Sequence, residues 1–343
     1  MTTSPDDHTQ RNPDRSLSGS AFGGGEAGLP IAVSPGSLPQ ELAEADRFGL
    51  WRSKDPKVAL TIAGLDPSGG AGIIADVRTF DSLGVYGMAI ATTLTVQSTK
   101  GMSKRQDVSA DVIGAQFEEL FADRRPNAIK TGALGSRDNV LELAYQLDKA
   151  EYPGPLVIDP VLNSGDGTPL LDEEGIEALK NVLLPHATLV TPNMDEVSQL
   201  CDFEVFDVKD MEAAALRLVA MGARASLVTG GKQSSGGGQL AADVFCDGKK
   251  IEVFTNPWME GERVHGTGCI LSAAIAAGLA RAKDLKSAVW DGTRVVRASM
   301  EAPVMPGHGV LVANPFASVR PRVSWRWKQG GRRAYRLHKR QSR

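Results

Sequence analysis

A chain of 343 residues with a 42% hydrophobic fraction holds enough material for one large α/β domain or two smaller ones. A net charge of −3 and a pI near 6.0 argue against a polyanion-binding protein, and three scattered cysteines exclude a disulfide framework or a cysteine metal cage. No apolar run approaches the ~20 residues that span a bilayer, and no basic stretch followed by an apolar one marks a secretory leader, so a cytoplasmic protein is expected.

Residues 1–55 are rich in Ser, Pro, Gly, Asp and Thr and show no sustained apolar period, so they are expected to be disordered. Residues 56–318 alternate short β-branched runs with longer amphipathic stretches, the pattern of a mostly parallel sheet covered by helices. Strands are predicted at Val58–Ala63, Ala89–Val96, Ala128–Thr131, Leu156–Ile158, Thr188–Val190, Ala225–Val228, Ala242–Cys246 and Lys250–Phe254. Helices are predicted to begin near Gly72, Asp111, Arg137, Asp172, Asp195, Asp207, Thr267 and Leu285, with Asp172, Asp207 and Thr267 supplying side-chain acceptors to exposed N–H groups. Asp247-Gly248-Lys249 between the last two strands is a hairpin signal. No internal repeat is present, and a single domain is the simpler reading. Residues 319–343 form a basic tail: ten Lys and Arg with no acidic residue, leaving −13 on the remainder of a chain whose total is −3. With Trp325, Trp327 and Tyr335 interleaved, the tail could meet nucleic acid or an anionic membrane, but a solvated extension is the simpler reading.

The first chemical feature lies just past the first predicted strand, in Gly64-Leu65-Asp66-Pro67-Ser68-Gly69-Gly70-Ala71-Gly72 followed by Asp76. Gly70 to Ala75 matches the dinucleotide fingerprint G-x-G-x-x-A, but the loop before it is too long and the next strand ends in Val96-Gln97 rather than an acid. Asp159, before Pro160, ends a strand and reads either as a site residue or as a turn residue. Thr191-Pro192-Asn193-Met194-Asp195-Glu196 follows another strand; Glu196 could hold magnesium or be an ordinary first-turn acid. Gly230-Gly231-Lys232 lacks the upstream glycine and the following Ser or Thr of a Walker loop. The strongest feature is His265-Gly266-Thr267-Gly268-Cys269, a glycine turn opening into a small-residue helix. There the backbone can approach a phosphate and the helix N-terminus favours an anion. Cys269 in that first turn is expected to have a lowered thiol pKa and to relay the proton of an attacking hydroxyl; a buried packing cysteine is the alternative.

Taken in order, these segments resemble the hydroxymethylpyrimidine/phosphomethylpyrimidine kinases of thiamine biosynthesis, within the ribokinase superfamily. The resemblance runs from about Lys57 to Phe316 and also rests on Lys130-Thr131-Gly132-Ala133-Leu134, Asp159-Pro160-Val161 and Gly307-His308-Gly309. It implies a three-layer αβα ribokinase-like fold and two successive phosphorylations from ATP with Mg2+, first of the hydroxymethyl group and then of the monophosphate. It implies that Gln97, Gly64, Val161 and Ala133 contact the pyrimidine, with Asp76 near the hydroxymethyl or phosphate end. Asp159, Asn193 and Glu196 would organise Mg-ATP, with Asp159 and Glu196 nearest the metal, and Gly266, Gly268 and Cys269 would form an anion hole. Ala133 stands where the family commonly has Met, which widens the pocket, and Thr229 replaces a lysine for which Lys232 is expected to substitute. The expected partners are the pyrimidine, ATP and a second copy of the chain; nucleic acid is not expected, the basic tail being its only hint. A pyridoxine or pyridoxal kinase on the same scaffold is the alternative reading, and a catalytically weakened sensor a third.

Overall fold

The computed structural model describes residues 55–235, 238–261 and 264–318, and the features read at the two chain ends lie outside these except for Asp55, which pairs with Arg124 at 2.6 Å. The elements run β1 (Val58–Leu65), α1 (Gly72–Ser82), β2 (Tyr86–Ser98), β3 (Gly101–Asp107), α2 (Ala110–Asp123), β4 (Ala128–Thr131), α3 (Arg137–Lys149) and β5 (Leu156–Ile158). They continue with α4 (Glu173–Ala178), β6 (Leu189–Val190), α5 (Met194–Cys201), α6 (Val208–Ala220), β7 (Ser226–Ser235), β8 (Gly238–Cys246), β9 (Ile251–Pro257) and β10 (Val264–His265). Last come α7 (Thr267–Ala280), α8 (Leu285–Glu301) and β11 (Leu311–Val312).

Nine strands form one sheet in the order β3-β2-β1-β4-β5-β6-β7-β8-β9. The six from β2 to β7 are parallel, and β3, β8 and β9 are antiparallel additions at the two edges. Because successive strand residues point to opposite faces, each strand feeds two cores. Leu60, Ile62, Ile129 and Ile158 pack with residues of α2 to α6, whereas Ala59, Ala128 and Val157 pack with residues of α1, α7 and α8. The result is the mostly parallel sheet covered by helices that the pattern predicts, in the three-layer arrangement that the resemblance implies.

Local chemistry explains most boundaries. Asp172 and Asp207 cap α4 and α6 through their side chains. Thr267 does not act as a cap: the N-cap of α7 is Gly266 at φ 85°, and no side chain accepts there. The predicted hairpin forms, with Asp247 Oδ1 accepting from the N–H groups of Lys249 and Lys250 at 2.8 and 2.7 Å. Three strands were not anticipated. Gly101–Asp107 is polar and lies at an edge, so it lacks the apolar alternation that marks a half-buried strand. Val264–His265 and Leu311–Val312 pair in parallel over two residues, too short to leave a periodic signal.

Candidate active site

Parallel strands turn their C-terminal ends toward one edge of the sheet, where open α/β folds place ligands. At this edge the two glycine loops read from the sequence meet. β1 enters its loop at Asp66, whose carboxylate accepts the Ser68 N–H at 2.8 Å, the Ser68 hydroxyl at 2.9 Å and the Ala71 N–H at 3.0 Å. The chain thereby doubles back and Leu65 bridges Gly72. Gly72 has φ 59°, and a Cβ there would collide with the Gly64 carbonyl oxygen, so only glycine permits the closure. In the second loop a Cβ on Gly266 would strike the Gly70 carbonyl, and one on Gly70 would lie 2.6 Å from the His265 ring. The N-termini of α1 and α7 therefore share one contact surface. Beside it, a Cβ on Gly268 would meet nothing within 4 Å, so the first turn of α7 faces open space.

Beneath the loops lies a buried charge cluster. Asp76 on α1 accepts from the Thr61 hydroxyl at 2.6 Å and from Lys130 Nζ at 2.8 Å, and all three side chains are inaccessible. Lys130 Nζ also lies 3.7 Å from Asp159 Oδ2, which accepts from Ser272 Oγ on α7 at 2.9 Å. Burial pushes both carboxyls up, and Lys130 offsets this only in part. For Lys130, burial opposes the charge, but the surrounding acidic groups, Asp76 foremost, raise its pKa and hold it protonated. Asp76 Oδ1 has no hydrogen-bond partner among the described residues.

Cys269 corrects a sequence expectation. Its thiol is pushed up to about 12, not lowered: burial and the charges of Asp76 and Asp159 outweigh Lys130 and the Gly72 N–H. The helix N-terminus is real, but it is not the largest field at this sulfur.

At the nucleotide end of the reading, Asn193 and Glu196 form a capping box for α5, each side chain accepting the other's backbone N–H at 2.9 Å. Burial, helped by Asp159, pushes Glu196 up to about 8. Thr229 bridges Asn193, and its N–H bonds the Pro192 carbonyl at 2.9 Å. Lys232 is exposed and its ammonium sits 4.8 Å from the centre of the Trp258 ring, engaged in a cation–π contact. Among the described residues, no cluster of three His, Cys, Asp or Glu side chains could close around a metal ion. Asp159 and Glu196 lie near enough for the charge of one to raise the pKa of the other, and such an acidic pair suits a divalent cation whose shell is completed by phosphate oxygens and water.

At the acceptor end of the same reading, a cavity of about 120 Å³ is lined in part by Gln97, Thr99, Ser164, Asp166 and His265. Gly64 and Ala133 lie together one step away: a Cβ on Gly64 would lie 3.6 Å from that of Ala133. Leu65, the residue after Gly64, is tied to Gln97 through Thr95, whose hydroxyl donates to the Leu65 carbonyl at 2.8 Å and lies 3.2 Å from the Gln97 amide oxygen. Val161 follows Asp159, its N–H bonding the Asp159 carbonyl at 2.9 Å. Lys130, His265, Asp66 and Ser272 were given no role from sequence. A lysine inside the apolar run Ala128-Ile129-Lys130 was the one available signal, because a fully buried lysine needs a buried partner.

Residues 66–314 match the model of the family described as phosphomethylpyrimidine kinase. The chain belongs to the phosphomethylpyrimidine kinase family. A hydroxymethylpyrimidine/phosphomethylpyrimidine kinase of Aquifex aeolicus is 37% identical over 232 residues, 68% of this chain and 89% of the relative. Among solved structures, the phosphomethylpyrimidine kinase of Clostridium difficile superposes with a TM-score of 0.62 at 33% identity, over 71% of this chain and 99% of that one. The pyridoxal kinase of Staphylococcus aureus in complex with AMP-PCP and pyridoxal superposes with a TM-score of 0.70 at 30% identity, covering 78% and 96%. The phosphomethylpyrimidine kinase scaffold and the ribokinase-like reading of the fold therefore agree.

Proposed function

We propose that this kinase transfers the γ-phosphoryl group of ATP to 4-amino-5-hydroxymethyl-2-methylpyrimidine and then phosphorylates the monophosphate to the diphosphate. The observation that carries the reading is the seating of Gly266 on the Gly70 carbonyl. It joins two helix N-termini at the spot where an attacking oxygen and a phosphate would meet. Phosphoryl transfer through a loose transition state depends on positioning and charge stabilisation more than on a strong base. A neutral Cys269 thiol suits that: it shapes the first turn of α7 while the turn's N–H groups, with Gly266 and Gly268, face the transferring group. Asp76 and Lys130 fix α1 against β4 and hold the loop that approaches the acceptor.

Gln97, Gly64, Val161 and Ala133 are assigned to the pyrimidine, and Asn193, Thr229 and Lys232 to the nucleotide. Magnesium, when bound with ATP, would neutralise phosphate charge beside Asp159 and Glu196, and ionised Glu196 is the form suited to it. The reaction is placed in the cytoplasm, in keeping with three free cysteines. Among the described residues no helix is long and apolar enough to cross a membrane. A homodimer is the assembly proposed, with Leu94 and Val96, exposed on one face of β2, as apolar surface available to it; sedimentation tests that assembly. The pyridoxal kinase reading draws on the likeness to the Staphylococcus aureus structure and on the small Ala133 side chain. Product analysis by mass spectrometry tests the main proposal: monophosphate should appear first and then convert to diphosphate. Monophosphate that accumulates without conversion would remove the second step.

A further inference from the structure

A line of polar side chains runs from the first glycine loop to the cavity. His265 Nε2 lies 3.1 Å from Asp66 Oδ2 and 3.4 Å from the Gln97 amide atom placed as Nε2, while the atom placed as Oε1 faces Thr95 Oγ1 at 3.2 Å. Asp66 is ionised: burial opposes its charge, but hydrogen bonds from His265 and Ser68 outweigh it and pull the carboxyl below its ordinary value. A ring nitrogen facing a carboxylate carries a proton, so His265 Nε2 is a donor whose single N–H points chiefly at Asp66 and is shared, as a three-centre bond, with the Gln97 group 3.4 Å away. Thr95 gives its proton chiefly to the Leu65 carbonyl at 2.8 Å, the shorter of its two contacts, which leaves its oxygen lone pairs to accept from Gln97 at 3.2 Å.

Those two facts fix the amide. The oxygen and nitrogen of a glutamine amide occupy interchangeable positions, and their hydrogen-bond partners decide between them. With the amide nitrogen toward His265, two donors would face each other and the carbonyl would face a hydroxyl with no proton to give. Exchanging the two atoms, so that the carbonyl faces His265 and the nitrogen faces Thr95, removes the clash of donors: the carbonyl takes the weaker, 3.4 Å branch of the His265 proton and the Thr95 oxygen accepts from the amide. One carbonyl lone pair and one N–H then remain for a ligand in the cavity.

We infer that His265, anchored by Asp66, is a positioning residue that holds the Gln97 amide in one orientation and thereby selects an acceptor ring presenting an amino donor beside a ring-nitrogen acceptor over one with the reverse pattern. The inference rests on the assignment of Gln97 to the pyrimidine edge. It gives the histidine of the glycine turn a task in substrate choice, separate from phosphate binding. The tight seat of the His265 ring on Gly70 keeps the donor in place, because the loop and the ring cannot move independently.

The test compares kcat/KM for the 4-aminopyrimidine substrate and its 4-oxo counterpart, in which donor and acceptor are exchanged. Wild type, His265→Leu, His265→Asn, His265→Gln and Gln97→Ala are measured, with KM for ATP as the control for folding. Gln places an N–H donor near the position of Nε2, whereas Asn is one bond too short. His265→Leu and His265→Asn are expected to lower kcat/KM for the amino substrate about tenfold, mainly through KM, and to shrink the amino-to-oxo ratio by a similar factor. His265→Gln should restore that ratio. A collapse in Gln97→Ala with full preference retained in His265→Leu and His265→Asn overturns the inference and leaves the role of Gln97 standing. Preference retained in Gln97→Ala overturns the assignment of Gln97, and the inference with it. If His265→Leu fails to fold, the contrast between Asn and Gln carries the result.

Discussion

Replacing Lys130 by Met probes the charge cluster under the glycine loops. Lys130 Nζ lies 2.8 Å from Asp76 Oδ2 and 3.7 Å from Asp159 Oδ2, and its side chain is fully buried. At an effective dielectric of about 20, those attractions amount to roughly 4–6 kcal/mol each before desolvation is charged against them. Met fills nearly the same volume, so a cavity contributes little. What remains is a pair of buried carboxylates without a cation, a loss of about 3–5 kcal/mol by analogy with broken buried ion pairs. The pH dependence supplies the sign. Lys130 itself, raised above its ordinary value of 10.5, stays charged throughout the acid and neutral range and its contribution is constant there. In the variant, Asp76 and Asp159 hold folded-state pKa values even further above those of the unfolded chain, so stability falls as pH rises through that window. Urea unfolding of the metal-free protein at pH 5.5 and pH 8 should show the deficit larger at pH 8 by about 1–2 kcal/mol, and Asp76→Asn in the same background should recover part of it. A deficit below about 1 kcal/mol, or one that is equal at both pH values, would refute the reasoning.

Glu196, pushed up to about 8, binds its proton more tightly in the folded chain than in the unfolded one. It therefore costs stability as pH rises from the ordinary carboxylate value toward 8, and Glu196→Gln, which preserves the capping box, should flatten the pH profile of urea unfolding across that window. Cys269, its thiol pushed up to about 12, should react with iodoacetamide at pH 7.5 more slowly than a free cysteine does, as peptide mapping would report. Rapid modification at pH 7.5 would restore the activated-thiol reading. Gly72→Ala should abolish turnover by forcing the loop off the Gly64 carbonyl, with Tm lowered as well; an unaltered kcat would mean that the loop tolerates a different closure.

Much of the fold is legible in the sequence because burial leaves a pattern. Leu156–Ile158 is a continuous apolar run and Val58–Leu65 one interrupted only by Thr61 before its closing glycine, as strands covered on both faces are. Gly101–Asp107 leaves no such trace, since an edge strand in contact with solvent has no apolar face to advertise. The glycine loops of the site are equally legible, because close backbone approach admits only glycine at Gly72 and Gly266. Their mutual contact is not, for nothing along the chain states that Gly70 and Gly266 touch. The Cys269 thiol was misjudged for the same reason. Its place at a helix start is a local fact, whereas the burial that raises it, and the charges of Lys130, Asp76 and Asp159 around it, come from β4, α1 and the end of β5. Lys130 likewise acquires meaning only when β4 is laid beside β1 and under α1.

The central claim concerns the acceptor. Initial rates of ATP consumption with hydroxymethylpyrimidine, its monophosphate and pyridoxal, each supplied separately with Mg2+, test it most directly. Turnover on both pyrimidines with kcat/KM exceeding that for pyridoxal is the predicted result. Preference for pyridoxal, or silence on both pyrimidines, would contradict it.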